Sequence, residues 1–341
     1  MKRIYFAGLL AITFMLAGCT SRKPKLEENL VQPRIVAYLP MWNMPYVPDW
    51  SKITHVCLAF GVVQPDGTVN MEQIDEHKYI IGQARENGVK VLLSIGGGGS
   101  RNFSTAILDK AIREKLVLNL SWITTSYRFD GIDVDYEEWE GGPGGASEVD
   151  VQRRDSLEQL YRELRATLGS DKLITAAVNA DWDDNNFGLY NCFNNTMHNY
   201  LDFVSLMIYD ETGPWSGTRT GPHSSWDFFE KAIDHWLNNR QLSAEKLVVG
   251  VPFYGYRFTS PTYAGDAQGI SYRKILEMYP DEDAHLKDSI GLLYYDGLPT
   301  IIRKAETVKK KQLGGIMFWE ITQDTDIPEK SLLNAIYDTL F

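Results

Sequence analysis

The chain contains 341 residues, of which 45 are Asp or Glu and 34 are Lys or Arg, so its formal net charge is -11 at pH 7. Hydrophobic residues make up 44% of the chain and aromatic residues 12%, which is typical of a globular protein with a large core and excludes a disordered chain. The acidic balance argues against a protein that binds nucleic acid or an anionic membrane surface through charge.

The first nineteen residues have the pattern of an export signal. Two basic residues precede an apolar run over residues 4–16, which is too short to span a bilayer. The run ends in the letters LAGC at Cys19, and this ending resembles the lipobox of bacterial lipoproteins. An ordinary signal peptide in which Cys19 is incidental is the alternative.

The lipobox resemblance implies that residues 1–18 are a lipoprotein signal peptide that is cleaved before Cys19. It also implies that the thiol of Cys19 is lipidated and that residues 19–33 contain a polar tether. Several acyl chains on one residue anchor a protein stably. We therefore expect a bacterial cell-envelope protein, at the outer membrane or the cell surface, whose membrane contact is the lipid anchor alone.

After the tether, short apolar runs alternate with helix-like stretches. The runs lie at residues 34–42, 53–63, 89–97, 129–137, 173–180, 203–210, 247–255 and 314–321. Helices are predicted at residues 72–87, 104–127, 151–168, 226–238, 299–311 and 329–340. Most of the runs are continuously apolar and rich in β-branched residues, which is typical of parallel strands buried on both faces. Eight such units predict a single α/β domain over residues 34–341, a (β/α)8 TIM barrel, with a doubly wound open sheet as the alternative.

Polar and aromatic residues collect where these runs end. They include Tyr38, Trp42, Glu137, Trp182, Tyr209, Asp210, Tyr254 and Trp319. The carboxyl ends of barrel strands are where active sites of this fold lie. The sequence therefore predicts one cleft built from several strand ends.

The run FDGIDVDYE carries acids at alternate positions, which in a strand point to the same side. Asp133, Asp135 and Glu137 would be roughly 6.6 Å apart in sequence order. At an effective dielectric constant of about 20, each neighbouring ionised pair would repel by about 2.5 kcal/mol. This repulsion corresponds to nearly two pKa units, so one carboxyl should stay protonated near neutral pH. A protonated carboxyl at the mouth of a barrel suits a general acid.

The sequence does not contain the motifs of a dinucleotide site, a calcium loop, a zinc protease or a common serine hydrolase. Arg101 stands where a dinucleotide fingerprint from Gly96 needs glycine, and Glu138 stands where a calcium loop from Asp133 needs glycine. Neither an HExxH pair nor a G-x-S-x-G elbow occurs. We predict no cofactor and no metal, and no disulfide between Cys57 and Cys192.

The acidic run DGIDVDYE resembles the DGxDxDxE signature of glycoside hydrolase family 18, the chitinases and their relatives. The letters SIGG, which end at Gly97, resemble the family's SxGG on strand three. The letters MIYD, from Met207 to Asp210, resemble its MxYD on strand six. Trp319, at the end of strand eight, falls where the family has the tryptophan under the cleaved sugar.

The resemblance implies a role for each matching residue. Glu137 would be the catalytic acid, and Asp135 would orient the substrate's acetamido group. Asp133 would tune this row of three acids. Tyr209 would donate a hydrogen bond to the acetamide oxygen, and Asp210 would hold the sugar. The residues that would bind substrate are Tyr38, Phe60, Gly97, Met207 and Trp319, with Trp42 and Trp182 as weaker candidates.

The function that follows is cleavage of β-1,4 bonds in N-acetylglucosamine-containing glycans by a monomer, with retained configuration and with the substrate's acetamide as nucleophile. An endo-β-N-acetylglucosaminidase that acts on N-glycans and a glycan-binding lipoprotein with little activity are the alternatives. Tyr136 stands where the family often has tryptophan. The interval from Tyr256 to Leu313 leaves room for at most a reduced insertion between strands seven and eight.

Overall fold

A computed structural model of the chain describes Met1 and residues 32–140, 147–181, 193–217 and 219–341. Residues 2–18 of the predicted signal peptide, Cys19, Trp182 and Cys192 lie outside these residues. None of the helices in the described part of the chain has the length and apolar character needed to span a bilayer.

The strands alternate with helices along most of the chain. The strands are β1 (Arg34–Pro40), β2 (His55–Val63), β3 (Val69–Asn70), β4 (Lys90–Gly96), β5 (Gly131–Asp135), β6 (Leu173–Asn179), β7 (Phe203–Met207), β8 (Leu247–Pro252), β9 (Tyr254–Arg257), β10 (Gln268–Ser271), β11 (Ser289–Ile290), β12 (Leu293–Tyr294) and β13 (Gly315–Trp319). The helices are α1 (Glu72–Glu76), α2 (Tyr79–Glu86), α3 (Phe103–Leu108), α4 (Lys110–Ser126), α5 (Glu148–Leu168), α6 (Trp226–Asp234), α7 (Tyr272–Met278), α8 (Leu298–Lys311) and α9 (Leu332–Leu340).

Eight parallel strands form a closed barrel in the order β1, β2, β4, β5, β6, β7, β8 and β13. The last strand pairs with the first, Arg34 opposite Gly315, which closes the sheet. Strands β7 and β8 are buried along their whole length, as their largely apolar sequences predict, and β5 is buried as well although it contains Asp133 and Asp135. The (β/α)8 TIM barrel is confirmed, and the open doubly wound sheet is ruled out.

Two predicted helices are each divided in the structure. The stretch 72–87 becomes α1 and α2, and the stretch 104–127 becomes α3 and α4. At the second division, Asp109 has an extended backbone, and its carboxylate accepts a hydrogen bond from the backbone N–H of Ile112 at 3.0 Å. An Asp in this position caps a new helix, so the chain changes direction there instead of continuing.

A small second sheet lies in the chain between β8 and β13. Its four strands are antiparallel, in the order β10, β9, β12 and β11, and α7 follows β10. The strands contain between two and four residues each. This is the reduced insertion that the sequence predicts, and its first strand begins beside the barrel mouth at Tyr254.

Candidate active site

Asp133 lies inside the barrel on β5 and is completely buried. Its carboxylate accepts hydrogen bonds from the hydroxyls of Tyr38 at 2.6 Å, Ser94 at 2.8 Å and Thr175 at 2.5 Å. Ser94 and Thr175 lie opposite Asp133 on the neighbouring strands β4 and β6. Tyr38 comes from β1, which does not neighbour β5, so closure of the barrel is what brings its hydroxyl to this carboxylate. Burial raises the pKa of Asp133, although all three hydrogen bonds favour its charged form.

Asp135 occupies the next position on the same face of β5 and lines the cleft at the barrel mouth. Its side chain is buried, yet its Oδ1 atom has no hydrogen-bond partner. Burial, and then the charges of Glu137 and Asp133, raise the pKa of Asp135 well above its ordinary value. An unpartnered buried oxygen in a cleft is an acceptor available to a ligand.

Glu137 follows β5 and also lines the cleft. Burial, followed by the charge of Asp210, raises its pKa to about 7, while a hydrogen bond from the backbone N–H of Gly98 acts in the opposite direction. A carboxyl with this pKa is largely protonated at mildly acidic pH and can release its proton near neutrality. It therefore has the property that a general acid needs.

Tyr209 and Asp210 follow β7 and form one wall of the cleft. Burial, and then the charge of Asp135, raise the pKa of Tyr209 well above its ordinary value, so its phenol stays a neutral donor. Asp210 has a left-handed backbone with φ of 65°, a conformation that Asp adopts more readily than most residues. Its Oδ1 atom accepts a hydrogen bond from the hydroxyl of Tyr254 at 2.6 Å.

Aromatic rings form another side of the cleft. The ring of Trp319 stacks on Phe60 with centroids 5.8 Å apart and lies 5.7 Å from the ring of Tyr38. Trp42 packs against both Phe60 and Trp319, and 51% of its surface is exposed. The peptide bonds before Phe60 and after Trp319 are cis. Such flat apolar faces suit the apolar face of a sugar ring.

Of two further predicted substrate-binding residues, Met207 and Gly97, only the first lines the cleft. Met207 lines the cleft, as do Gly96 and Gly98. Gly97 lies behind Phe60, because a Cβ atom built on it would come within 2.5 Å of the Phe60 ring, and its φ is +79°. Gly97 therefore provides room for the aromatic ring.

The cleft has a volume of about 550 Å³ and includes residues that the sequence analysis did not assign to the site. Those with polar side chains are Gln73, Ser100, Asn179 and Tyr254. Asn179 could have been found from the two-residue period of β6, which places it on the same face as Thr175 and Ala177. Tyr254 is noticeable in the sequence as a polar strand end, but its contact with Asp210 depends on the fold.

Several residues next to the site residues in the sequence have structural contacts and do not line the cleft. Tyr136 is buried away from the cleft, with its hydroxyl 2.7 Å from Ser104 Oγ and its ring against Trp139. Glu320, next to Trp319, accepts hydrogen bonds from Asn43 and Thr322. In the described part of the chain, no three His, Cys, Asp or Glu side chains are grouped so that they could hold a metal ion.

Comparison with protein families decides how this cleft is classified. Residues 34–324 match the model of glycosyl hydrolases family 18. The chain belongs to this family. It is accordingly a glycoside hydrolase of the chitinase type, and the cleft with Glu137 at the mouth of the barrel is its candidate active site.

Relatives of this family 18 hydrolase match it over most of its length. A class V chitinase of Lotus japonicus is 27% identical over 96% of this chain and 92% of that protein. Chitinase C of Streptomyces lividans is 29% identical, over 81% of this chain and 53% of that protein. The crystal structure of a chitinase from Bacteroides thetaiotaomicron is similar with a TM-score of 0.76 and 28% identity, covering 91% of this chain and 96% of that one.

Proposed function

We propose that this family 18 hydrolase cleaves β-1,4 bonds in chitin-like glycans of N-acetylglucosamine, with retained configuration and through the substrate's own acetamide. The observation that carries the proposal is the pairing of Glu137, whose pKa is about 7, with the unpartnered buried Oδ1 of Asp135. The first group can give a proton, and the second can accept the N–H of an acetamide. The naming of several relatives as chitinases supports the same substrate class.

The steps follow from where the polar groups lie. A sugar ring stacked on Trp319 would place its acetamide between Asp135 and Tyr209, which accept and donate a hydrogen bond respectively. The acetamide oxygen attacks C1 while Glu137 gives its proton to the glycosidic oxygen, and the C1–O bond breaks. Water then attacks C1 of the oxazolinium ion, the bond between C1 and the acetamide oxygen breaks to restore the N-acetyl group, and the water gives a proton to Glu137. The carboxylate of Asp210 is engaged by Tyr254, so it suits binding better than attack.

The first experiment identifies both the substrate and the acid. Purified protein is incubated with chitooligosaccharides or with an N-glycoprotein, and the products are measured by mass spectrometry. We expect the oligosaccharides to be shortened, and we expect Glu137→Gln to lower turnover by at least about 10²-fold while binding is retained. The matched control is Glu306→Gln, at an exposed glutamate on α8.

Three results would contradict this proposal. Near-native hydrolysis by Glu137→Gln would remove the assigned acid. Release of intact N-glycans without cleavage of chitooligosaccharides would instead support an endo-β-N-acetylglucosaminidase. Binding of both glycans with no cleavage by the native protein would support a glycan-binding lipoprotein.

We further propose that the enzyme acts as a monomer in the bacterial cell envelope, anchored by lipid on Cys19. The support is the LAGC ending of the apolar run over residues 4–16. In a bacterial host, Cys19→Ala should remain unprocessed or leave the detergent-soluble membrane fraction, whereas Thr20→Ala should partition as the native protein does. Unchanged processing and partition of Cys19→Ala would contradict the proposal.

A further inference from the structure

A buried histidine lies directly behind the wall of the active site. His223 is in the segment between β7 and α6, and only 1% of its side chain is exposed. Its Nδ1 atom is 3.3 Å from Oδ1 of Asp210, and its Nε2 atom is 3.2 Å from the backbone carbonyl oxygen of Tyr254. The rings of Tyr254 and Tyr256 pack on it with centroids 4.9 and 5.0 Å away, so its orientation is fixed.

Both ring nitrogens of His223 therefore face oxygen atoms that accept hydrogen bonds. A carbonyl oxygen can only accept, so Nε2 must carry a proton. The Asp210 oxygen that faces Nδ1 already accepts from the hydroxyl of Tyr254. The contact between Nδ1 and this oxygen is a hydrogen bond only if another proton lies between the two side chains. A neutral imidazole beside an ionised carboxylate would have no such proton. If the hydrogen bond forms, the Asp210–His223 pair therefore holds one additional proton.

Within the described part of the chain, no other group in contact with the histidine changes this charge near neutral pH. The titratable groups that face His223 are Asp210 and the phenols of Tyr254 and Tyr256. Burial, and then the charge of Asp210, raise the pKa of both phenols, so they remain neutral. The charge on this side of the cleft is thus the charge of the Asp210–His223 pair.

Glu137 responds to that charge. The charge of Asp210 is, after burial, the cause that raises the pKa of Glu137. When a proton is shared between Asp210 and His223, the pair is neutral overall and repels an ionised Glu137 less. The substrate-assisted reaction needs Glu137 in both forms, since it first gives a proton and then takes one from water.

We propose that His223 is a positioning residue that shares a proton with Asp210 and thereby limits the negative charge that Asp210 presents to the catalytic acid. This inference rests on the proposed function, in which Glu137 is that acid. Without His223, Asp210 carries its full charge, and Glu137 keeps its proton to higher pH. The alkaline limb of the pH profile of activity then moves to higher pH.

His223→Asn tests the inference, because an amide nitrogen near the position of Nδ1 can donate to Asp210 but cannot carry a positive charge. The pH profile of kcat/KM on a chitooligosaccharide reports groups of the free enzyme. We expect its alkaline limb to move to higher pH by about half a unit or more. His285→Asn, the same change in the insertion, should leave the limb in place.

A second change separates the charge effect from packing. In an Asp210→Asn background, where the carboxylate charge is absent, His223→Asn should cause no further movement of the limb. An unmoved limb in folded His223→Asn, together with an inactive Glu137→Gln, would overturn this inference and leave the proposed function intact. An active Glu137→Gln would instead overturn the proposed function.

The native protein provides a measurement that does not depend on how the variants fold. Imidazole ¹⁵N chemical shifts at pH 6 should show a His223 ring that is protonated at both nitrogens. A ring with a bare Nδ1 beside an ionised Asp210 would overturn the inference, whatever the pH profiles show.

Discussion

Glu137 holds its proton more tightly in the folded protein than an exposed glutamate does. Burial and the charge of Asp210 raise its pKa from 4.5 to about 7. A group whose pKa is higher in the folded state contributes full stability below the unfolded pKa, and this contribution is lost as pH rises through the folded pKa. The acid that suits catalysis therefore lowers the stability of the fold at neutral and alkaline pH.

Glu137→Gln should consequently stabilise the fold in a pH-dependent way. At pH 4 the free energies of unfolding of the variant and the native protein should be similar. Between pH 4.5 and 7 the variant should gain an advantage, which reaches about 3 kcal/mol at pH 8. Urea unfolding at pH 4 and pH 8 measures this. The same stability difference at both pH values would show that Glu137 does not titrate as described.

Some residues of the site could be predicted from sequence, and others could not. The two-residue period of β5 places Asp133, Asp135 and Glu137 on one face without any knowledge of the fold. His223 could not be assigned in this way, because nothing in its local sequence shows that it lies against Asp210. That contact arises from the fold of the segment after β7, where the backbone N–H of Glu211 donates to the carbonyl oxygen of His223 at 3.0 Å.

At the level of elements, Glu138 shows how the acidic run supports the structure around it. Helix α3 lacks a side-chain cap from Asn102, its own N-cap residue. Instead, the carboxylate of Glu138 accepts the backbone N–H groups of Phe103 at 2.9 Å and Ser104 at 2.8 Å. It also accepts the hydroxyls of Ser100 and Ser104, both at 2.6 Å. These four hydrogen bonds fasten the loop after β5 to the start of α3.

Glu138→Gln should therefore destabilise the protein. The amide NH2 group would face donors where a carboxylate oxygen accepts now, so we expect a loss of about 1–3 kcal/mol in the free energy of unfolding. Urea unfolding at pH 7 measures it, with Glu306→Gln as an exposed control that should change stability by less than about 0.5 kcal/mol. Equal stability of the two variants would rule out this capping role.

The elements that sequence patterns missed are short. Strands β11 and β12 contain two residues each, too few to show a period. Of the two predicted helices that are divided in the structure, the second is divided at the capping residue Asp109, and an apolar period does not show such a cap. The eight barrel strands are long and apolar enough to be recognised from sequence alone.

At the level of the whole molecule, closure of the barrel is what makes the site. It brings the hydroxyl of Tyr38 from β1 to Asp133 on β5, and it places Trp319 beside Phe60. The alternation of apolar runs and helices predicts this closure, because eight parallel strands of this kind have both faces buried only in a few folds. Which polar strand ends then meet is determined by the order and tilt of the strands.

The central claim, that the substrate's acetamide is the nucleophile, is tested most directly by the configuration of the first product. ¹H NMR spectra recorded during the first minutes of chitooligosaccharide hydrolysis distinguish the two anomers at the new reducing end. We expect the β-anomer to form first and fully deacetylated oligomers to remain uncut. Initial formation of the α-anomer, or cleavage of deacetylated oligomers at a comparable rate, would contradict this claim.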